Sequence, residues 1–154
     1  MSPADRRLAV PAALAAALAG LGAGAPPASA EAGARILSVQ ILDRDGTRAD
    51  RPLDRRRTYR YRVRYRVGGA DTLRVGRALT LLGPARRPVL LVRPAGATQP
   101  AGTYTARGTL RLRRNDPTGL YRLRYAVRVR DPRTGDSVRR LTTVGLRFRN
   151  PSRA

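Results

Sequence analysis

The chain has 154 residues, with 32 Lys+Arg against 10 Asp+Glu, a formal net charge of +22, and neither Cys nor His. Because the sequence contains no Lys either, every basic residue is Arg, and disulfides, thiolate or imidazole catalysis and lysine Schiff bases are excluded. The length suits one domain with a single core, and we expect no metal, no cofactor and no enzymatic activity.

Residues 1–30 have the pattern of a secretory signal peptide. Arg6-Arg7 precedes an uncharged Ala/Leu stretch, and Ala28-Ser29-Ala30 is a small-residue cleavage site. The alternative is a retained membrane helix, which the Pro and Gly residues within the stretch disfavour. We therefore expect residues 31–154 to form an exported domain, secreted or held at the cell envelope in the periplasm or on the cell surface, without a stable membrane span after processing.

Short runs of alternating apolar and polar residues, separated by turn residues, occupy most of the remaining chain. About seven such runs predict an all-β, antiparallel two-sheet sandwich. The predicted strands are 34–42, 57–67, 72–75 and 78–82 (two strands or one interrupted at Gly76), 89–92, 103–112, 120–130 and 137–149.

Two of these segments alternate most strictly. Residues 59–67 have Tyr or Val at every odd position and Arg at every even one, and residues 121–129 have apolar or aromatic residues at every odd position. We expect these odd positions, which include five of the seven aromatic residues, to face the core. The alternation around Tyr104 and Phe148 predicts that these two rings point inward as well. In the first strand the same alternation predicts Leu37, Val39 and Ile41 on one face.

Five segments follow one another in a characteristic order: ILSVQILDRDG at 36–46, RTYRYRVRY at 57–65, GTY at 102–104, GLYRLRYAVRVRD at 119–131 and GLRFR at 145–149. This order resembles bacterial secreted immunoglobulin-like domains of the fibronectin type. More loosely, it is similar to the carbohydrate-binding C-terminal domain of O-antigen exporter ATPases. The resemblance implies an immunoglobulin-like sandwich that serves as a binding or adhesion module, and it assigns no functional residue.

Two local motifs have both a functional and a structural interpretation. Asp43-Arg44-Asp45-Gly46 is similar to part of a calcium loop, but calcium needs six or more oxygen ligands and no Glu follows, so we interpret the segment as a turn. Tyr121 follows Gly119-Leu120 at the start of a strand, which fits the tyrosine corner of sandwich folds. In that corner the hydroxyl bonds to upstream backbone, so we predict a structural role for Tyr121.

The candidate functional residues are arginines on the predicted outer face of the last two strands. They are Arg122, Arg124, Arg128, Arg130, Arg147 and Arg149. Like charges opposite one another destabilise a sheet, and the planar guanidinium suits phosphate and carboxylate groups. We therefore expect this face to bind an anionic cell-envelope polymer or an acidic protein, without reading a nucleic-acid sequence. The alternative is a solvated surface with small counterions.

Three functions are compatible with these features. We favour an exported, non-enzymatic binding module of the cell envelope. The alternative is a structural module that contacts other proteins through a sheet edge, for which residues 89–92 are the candidate. A hydrolase that uses only Asp would need two facing carboxyl groups in a deep pocket, whereas the aspartates lie mostly in predicted turns.

Export is expected to remove residues 1–30. Mass spectrometry of the secreted or envelope-associated protein should find Glu31 at the N-terminus. An intact N-terminus on a protein fixed in the inner membrane would contradict both the cleavage site and the extracellular location.

Overall fold

The computed structural model describes residues 32–69 and 72–151, and all regular structure in these ranges is β-strand. The predicted signal peptide lies outside the described residues. In the part of the chain that is described, no helix is long and apolar enough to cross a membrane. The strands are β1 Gly33–Leu42, β2 Leu53–Asp54, β3 Tyr59–Gly68, β4 Leu73–Leu82, β5 Pro88–Val92, β6 Ala97–Gln99, β7 Gly102–Leu110, β8 Gly119–Arg130 and β9 Ser137–Arg149.

These strands form two sheets. The small sheet has the order β1-β3-β7, and the large sheet has the order β2-β9-β8-β4-β5, with β6 also paired to β4. Every pairing is antiparallel except that of β2 with β9. The predicted all-β, two-sheet architecture is confirmed.

The strand boundaries agree with the sequence pattern where the alternation is long. The sequence pattern leaves open whether residues 72–82 form one strand or two. Leu73–Leu82 is a single strand, β4, which continues through Gly76. The strands β2 and β6, of two and three residues, are not predicted, because segments this short show no measurable alternation.

The core lies between the inner faces of the two sheets. The odd positions of β3 and of β8 are buried, whereas Arg122, Arg124, Arg128 and Arg130 on the opposite side of β8 are exposed. Aromatic rings connect the sheets: the ring centroids of Tyr65 and Tyr125 are 6.4 Å apart. The largest fully buried side chains are Tyr65, Tyr121, Phe148, Leu53, Leu73, Leu79, Leu81, Leu110, Leu123, Leu146, Val63 and Val67.

The predicted face of β1 is wrong at one position. The pairing with β3 shifts between Ile36 and Ser38, so that Leu37 lies in a β-bulge and is 43% exposed. A bulge inserts one extra residue into a strand and reverses the side to which the preceding residues point. The inward residues of β1 are therefore Ile36, Val39 and Ile41.

Two tyrosines, one at the start of β7 and one at the start of β8, donate hydroxyl hydrogen bonds to backbone carbonyls just upstream of their strands. The hydroxyl of Tyr121 donates to the carbonyl oxygen of Pro117, and Tyr121 is fully buried, so its predicted structural role is confirmed. Tyr104 repeats the arrangement at the start of β7, where its hydroxyl donates to the Pro100 carbonyl at 2.6 Å. Both sites share the pattern Pro-x-Gly-x-Tyr, and Gly119 supplies a φ of +134° that other residues rarely adopt.

We expect Tyr121→Phe to lower the free energy of unfolding by about 1 kcal/mol, because it removes a hydrogen bond and leaves the Pro117 carbonyl without its partner. Tyr104→Phe is the matched variant and should cost less, since its hydrogen bond is solvent-exposed. Urea denaturation of both variants measures the difference. Equal losses in the two variants would contradict a specific contribution from the buried corner.

Candidate anion-binding site

The predicted arginines of β8 lie on the outer face of the large sheet. Because β9 pairs beside β8, Arg147 lies opposite Leu120 on this same face, one row from Arg122. Arg124 is flanked by Thr80 of β4 and Thr143 of β9. The arginines on this half of the face thus have polar or apolar neighbours across the strands.

The other half of the face brings four arginines into two adjacent rows. Arg128 lies directly opposite Arg139 of β9, and Arg130 lies directly opposite Arg74 of β4. Opposed residues of an antiparallel pair have Cβ atoms about 4.5–5.5 Å apart. The Arg128 Nε donates to the Ser137 hydroxyl at 3.1 Å, which orients one of the four guanidinium groups. Arg74 and Arg139 complete a cluster that the sequence prediction did not include.

The last predicted residue, Arg149, lies apart from this cluster in an acidic environment. It is in register with Asp54 of β2. Together with Asp43, Asp50 and Arg57, these two residues line a depression of about 350 Å³. All six predicted arginines therefore lie on the exposed side of the large sheet, five of them within the basic face and Arg149 beside carboxylates.

The outer face of the small sheet is equally basic. The even positions of β3 are arginines from residue 60 to residue 66. Arg66 lies directly opposite Arg35 of β1, and Arg62 lies directly opposite Arg107 of β7. The alternation in the sequence indicates that the β3 arginines face outward. It does not indicate that β1 and β7 bring further arginines beside them.

A shallow cavity opens on this second face. Its volume is about 320 Å³, and its lining includes Arg60, Arg62, Arg107 and Thr109. The Nε of Arg62 is buried and has no hydrogen-bond partner among the described residues. Three guanidinium groups and one hydroxyl around a cavity can bind phosphate, sulfate or carboxylate oxygens.

A third basic region lies where the β2–β3 turn meets the segment between β7 and β8. Arg55, Arg56, Arg111, Arg113 and Arg114 line a groove of about 400 Å³ there. The Arg55 guanidinium is fixed by donating to the backbone oxygens of Arg114 and Asp116, at 3.1 and 3.2 Å. No single residue pattern marks this groove in the sequence, because its members come from two distant loops.

The aspartates stabilise turns and leave most arginines without an acidic partner. Asp116 accepts from the Arg113 amide at 2.7 Å, and Asp131 accepts from the Arg133 amide at 2.8 Å. Within residues 32–69 and 72–151, the one ion pair joins Arg57 to Asp54 at 3.8 Å. The basic charge of the sheet faces is therefore not neutralised by carboxylates in this part of the molecule.

The segment 43–46 forms a hydrogen-bonded turn. The Gly46 amide donates to the Asp43 carbonyl at 3.0 Å, and Gly46 has a φ of +90°. Asp45 accepts from the Thr47 amide and hydroxyl, and these hydrogen bonds lower its pKa. No cluster of three or more acidic side chains suited to a metal ion occurs among the described residues.

The fold and the arginine faces define a class: an all-β, two-sheet sandwich domain with strongly basic outer surfaces. Among solved structures, it is similar to the crystal structure of the C-terminal domain of wzt, with 13% sequence identity and a TM-score of 0.58, over 77% of this chain and 75% of that one. The ApaA protein from Bordetella pertussis is 14% identical with a TM-score of 0.48, over 77% of this chain and 95% of that one. No protein-family model and no curated protein sequence matches.

The similarity to the wzt domain shows a shared fold. It agrees with the looser of the two resemblances that the sequence suggests, and at this identity it transfers no binding residue.

Repulsion within an opposed arginine pair can be measured by a double-mutant cycle of Arg128→Thr and Arg139→Thr. We expect a repulsive coupling of about 0.2–1 kcal/mol at low ionic strength. The coupling should decrease as salt shortens the screening length. The control cycle pairs Arg128→Thr with Arg147→Thr, which lies farther along the same face and should show none. Absence of coupling in both cycles at low salt would contradict the opposed geometry.

Proposed function

We propose that the chain is an exported, non-enzymatic binding module of the cell envelope that binds anionic polymers on the outer faces of its sheets. One observation carries the proposal, the set of opposed arginine pairs. Each sheet has two of them: Arg35 with Arg66 and Arg62 with Arg107 on the small sheet, and Arg74 with Arg130 and Arg128 with Arg139 on the large sheet.

An anion would relieve the cost of these pairs. Opposed like charges destabilise a sheet, and a phosphate or carboxylate between two guanidinium groups replaces repulsion with charge-assisted hydrogen bonds. A polymer gains more than a small ion, because outward residues of one strand repeat at about 6.8 Å and several anionic groups of one chain can bind together. Arg122, Arg124 and Arg147 extend the large-sheet surface along the strands.

The positions of the acids support a function without catalysis. Asp116 and Asp131 are engaged in turn hydrogen bonds. Asp43, Asp50 and Asp54 share a depression with two arginines, and Asp54 is already paired with Arg57. This is not the pair of facing carboxyl groups in a deep pocket that an Asp-only hydrolase would need. The fold shared with the C-terminal domain of wzt also supports a binding module.

A second candidate function is protein contact through a sheet edge. Among the described residues, β5 ends the large sheet and has no paired strand on its other side, so residues 89–92 are the candidate edge for this contact. Leu91 of β5 is 52% exposed, and Leu120 and Leu141 are also exposed on the large-sheet face. Edge pairing should persist at high ionic strength, whereas binding of a polyanion should weaken steeply.

The polymer proposal is tested with three variants that each lose three positive charges. Arg122, Arg124 and Arg128 are replaced by Ser on the large sheet, and Arg62, Arg64 and Arg66 on the small sheet. Heparin and duplex DNA serve as probe polymers in salt titrations, and circular dichroism confirms that each variant is folded. We expect weaker binding from each face variant, with the log–log salt slope on DNA flattened by about 0.9 for each phosphate that is no longer neutralised.

The third variant is the control, with the exposed turn residues Arg44, Arg87 and Arg133 replaced by Ser. It should retain most of the affinity and of the salt slope. If it loses as much as the face variants, binding reflects net charge alone. If the face variants are folded and keep wild-type affinity, the arginines are a solvated surface and the edge-strand function is preferred.

A further inference from the structure

One arginine of the described residues lies on the inner side of a strand that is otherwise apolar there. The inward residues of β4 are Leu73, Val75, Arg77, Leu79 and Leu81, and the four apolar residues are fully buried. Arg77 is in register with the buried Val127 of β8. As a whole residue Arg77 is half-buried, and its Nε is buried without a hydrogen-bond partner among the described residues.

The strand pairing explains how a charged side chain is tolerated at this position. One edge of β4 pairs with β8, and its other edge pairs with β6 through residues 73–75 and with β5 through residues 79–82. Residues 76–78 fall between these two pairings, at the point where the chain passes from β5 to β6. The side of the sandwich therefore stays open beside Arg77.

Two tyrosines face the same opening. Tyr125 of β8 is 3% exposed, and its hydroxyl has no partner among the described residues. Arg77 and Tyr125 line the same cavity, and burial raises the pKa of Tyr125 against the opposing charge of Arg77. Burial also raises the pKa of Tyr61, again against the charge of Arg77. Both phenols are therefore protonated at neutral pH and can donate hydrogen bonds.

These groups line a cavity of about 230 Å³ between the two sheets. Leu79, Val92, Pro94 and Ala106 give it apolar walls, and Thr105 and Arg107 of the edge strand β7 lie at its other side. The Tyr61 ring is held against β7 because residue 108 is Gly: a Cβ there would collide with the Tyr61 hydroxyl. The cavity is smaller than the roughly 300–1,000 Å³ of pockets for drug-sized ligands.

We propose that this cavity binds a small organic carboxylate, with Arg77 Nε and the Tyr125 hydroxyl donating to its oxygens and the apolar walls enclosing its carbon chain. The cavity shares Arg107 with the small-sheet face, but Arg77 and the Tyr125 hydroxyl belong to neither outer face, so the proposal does not depend on the polymer function.

The donor set and the walls select this class of ligand. Arg Nε–H can only donate, and a buried donor without a partner is destabilising, so a ligand must supply acceptor oxygens. The positive charge of Arg77 favours an anion over a neutral acceptor. The apolar walls favour a carboxylate with a short carbon chain over inorganic phosphate. Neutral sugars would leave the charge of Arg77 without a counter-ion.

The test uses the folded protein and sodium butyrate as the probe, titrated at constant ionic strength and followed by two-dimensional amide NMR. We expect saturable shifts centred on residues 77, 106 and 125. Tyr125→Phe removes one oxygen atom and should weaken butyrate binding about tenfold or more, since a hydrogen bond to a charged group is lost. Arg77→Gln should abolish it. Arg87→Gln, which removes the charge of an exposed arginine outside both binding surfaces, is the control and should bind butyrate like the wild type.

Butanamide, inorganic phosphate and glucose are the comparison probes, and each should bind at least about tenfold more weakly than butyrate, given the value of a charge-assisted hydrogen bond. The proposal is overturned if butyrate shows no saturable binding, or if its shifts are confined to the outer arginine faces. It is also overturned if butanamide binds as tightly as butyrate, or if glucose or phosphate binds more tightly than butyrate at residues 77 and 125. Unchanged affinity in folded Tyr125→Phe would also overturn it, because the hydroxyl would then not touch the ligand.

Discussion

The structure depends on the packing of the inner face of β3 against that of β8, because this packing determines to which side every neighbouring arginine points. Tyr65 and Tyr125 connect the two strands across the core. Period-two alternation then turns the arginines of both strands outward, and the antiparallel register brings arginines of the adjacent strands directly opposite them. The hydrophobic effect that closes the sandwich thus also concentrates positive charge on its outer faces, where no carboxylate of the described residues neutralises it.

The sequence allows the strands to be predicted, because a long, strict alternation of apolar and polar residues is typical of a strand with one buried face. It also shows which side of β8 is exposed. It does not reveal which strands pair, since pairing depends on residues far apart in the chain. Arg139 and Arg74 therefore enter the large-sheet cluster only through the register of β8 with its two neighbours. The register also explains why Arg149 does not belong to the cluster, because its neighbour on the adjacent strand β2 is Asp54.

Local irregularities account for the remaining differences. The bulge at Leu37 adds one residue to β1 and reverses the expected face, and a regular alternation rule cannot foresee it. Gly76 suggests an interruption in the sequence, but the strand passes through it unbroken. As part of one continuous strand, Arg77 occupies an inward position between Val75 and Leu79. Alternation across residues 73–82 predicts this inward position, but only if the strand is taken as continuous through Gly76.

Arginine therefore occurs in two different physical environments in this fold. On the outer faces, water and salt screen each guanidinium group, so that a single ion pair contributes little and useful affinity requires many of them with one polymer. Beside Tyr125, burial removes most of that screening, and a single anion can be bound by a few well-placed donors. The outer faces are suited to ligands of high charge and loose structure, whereas the cavity is suited to one small ligand of defined shape. Net charge alone predicts the first environment, but only the inward position of Arg77 and the unpartnered Tyr125 hydroxyl indicate the second.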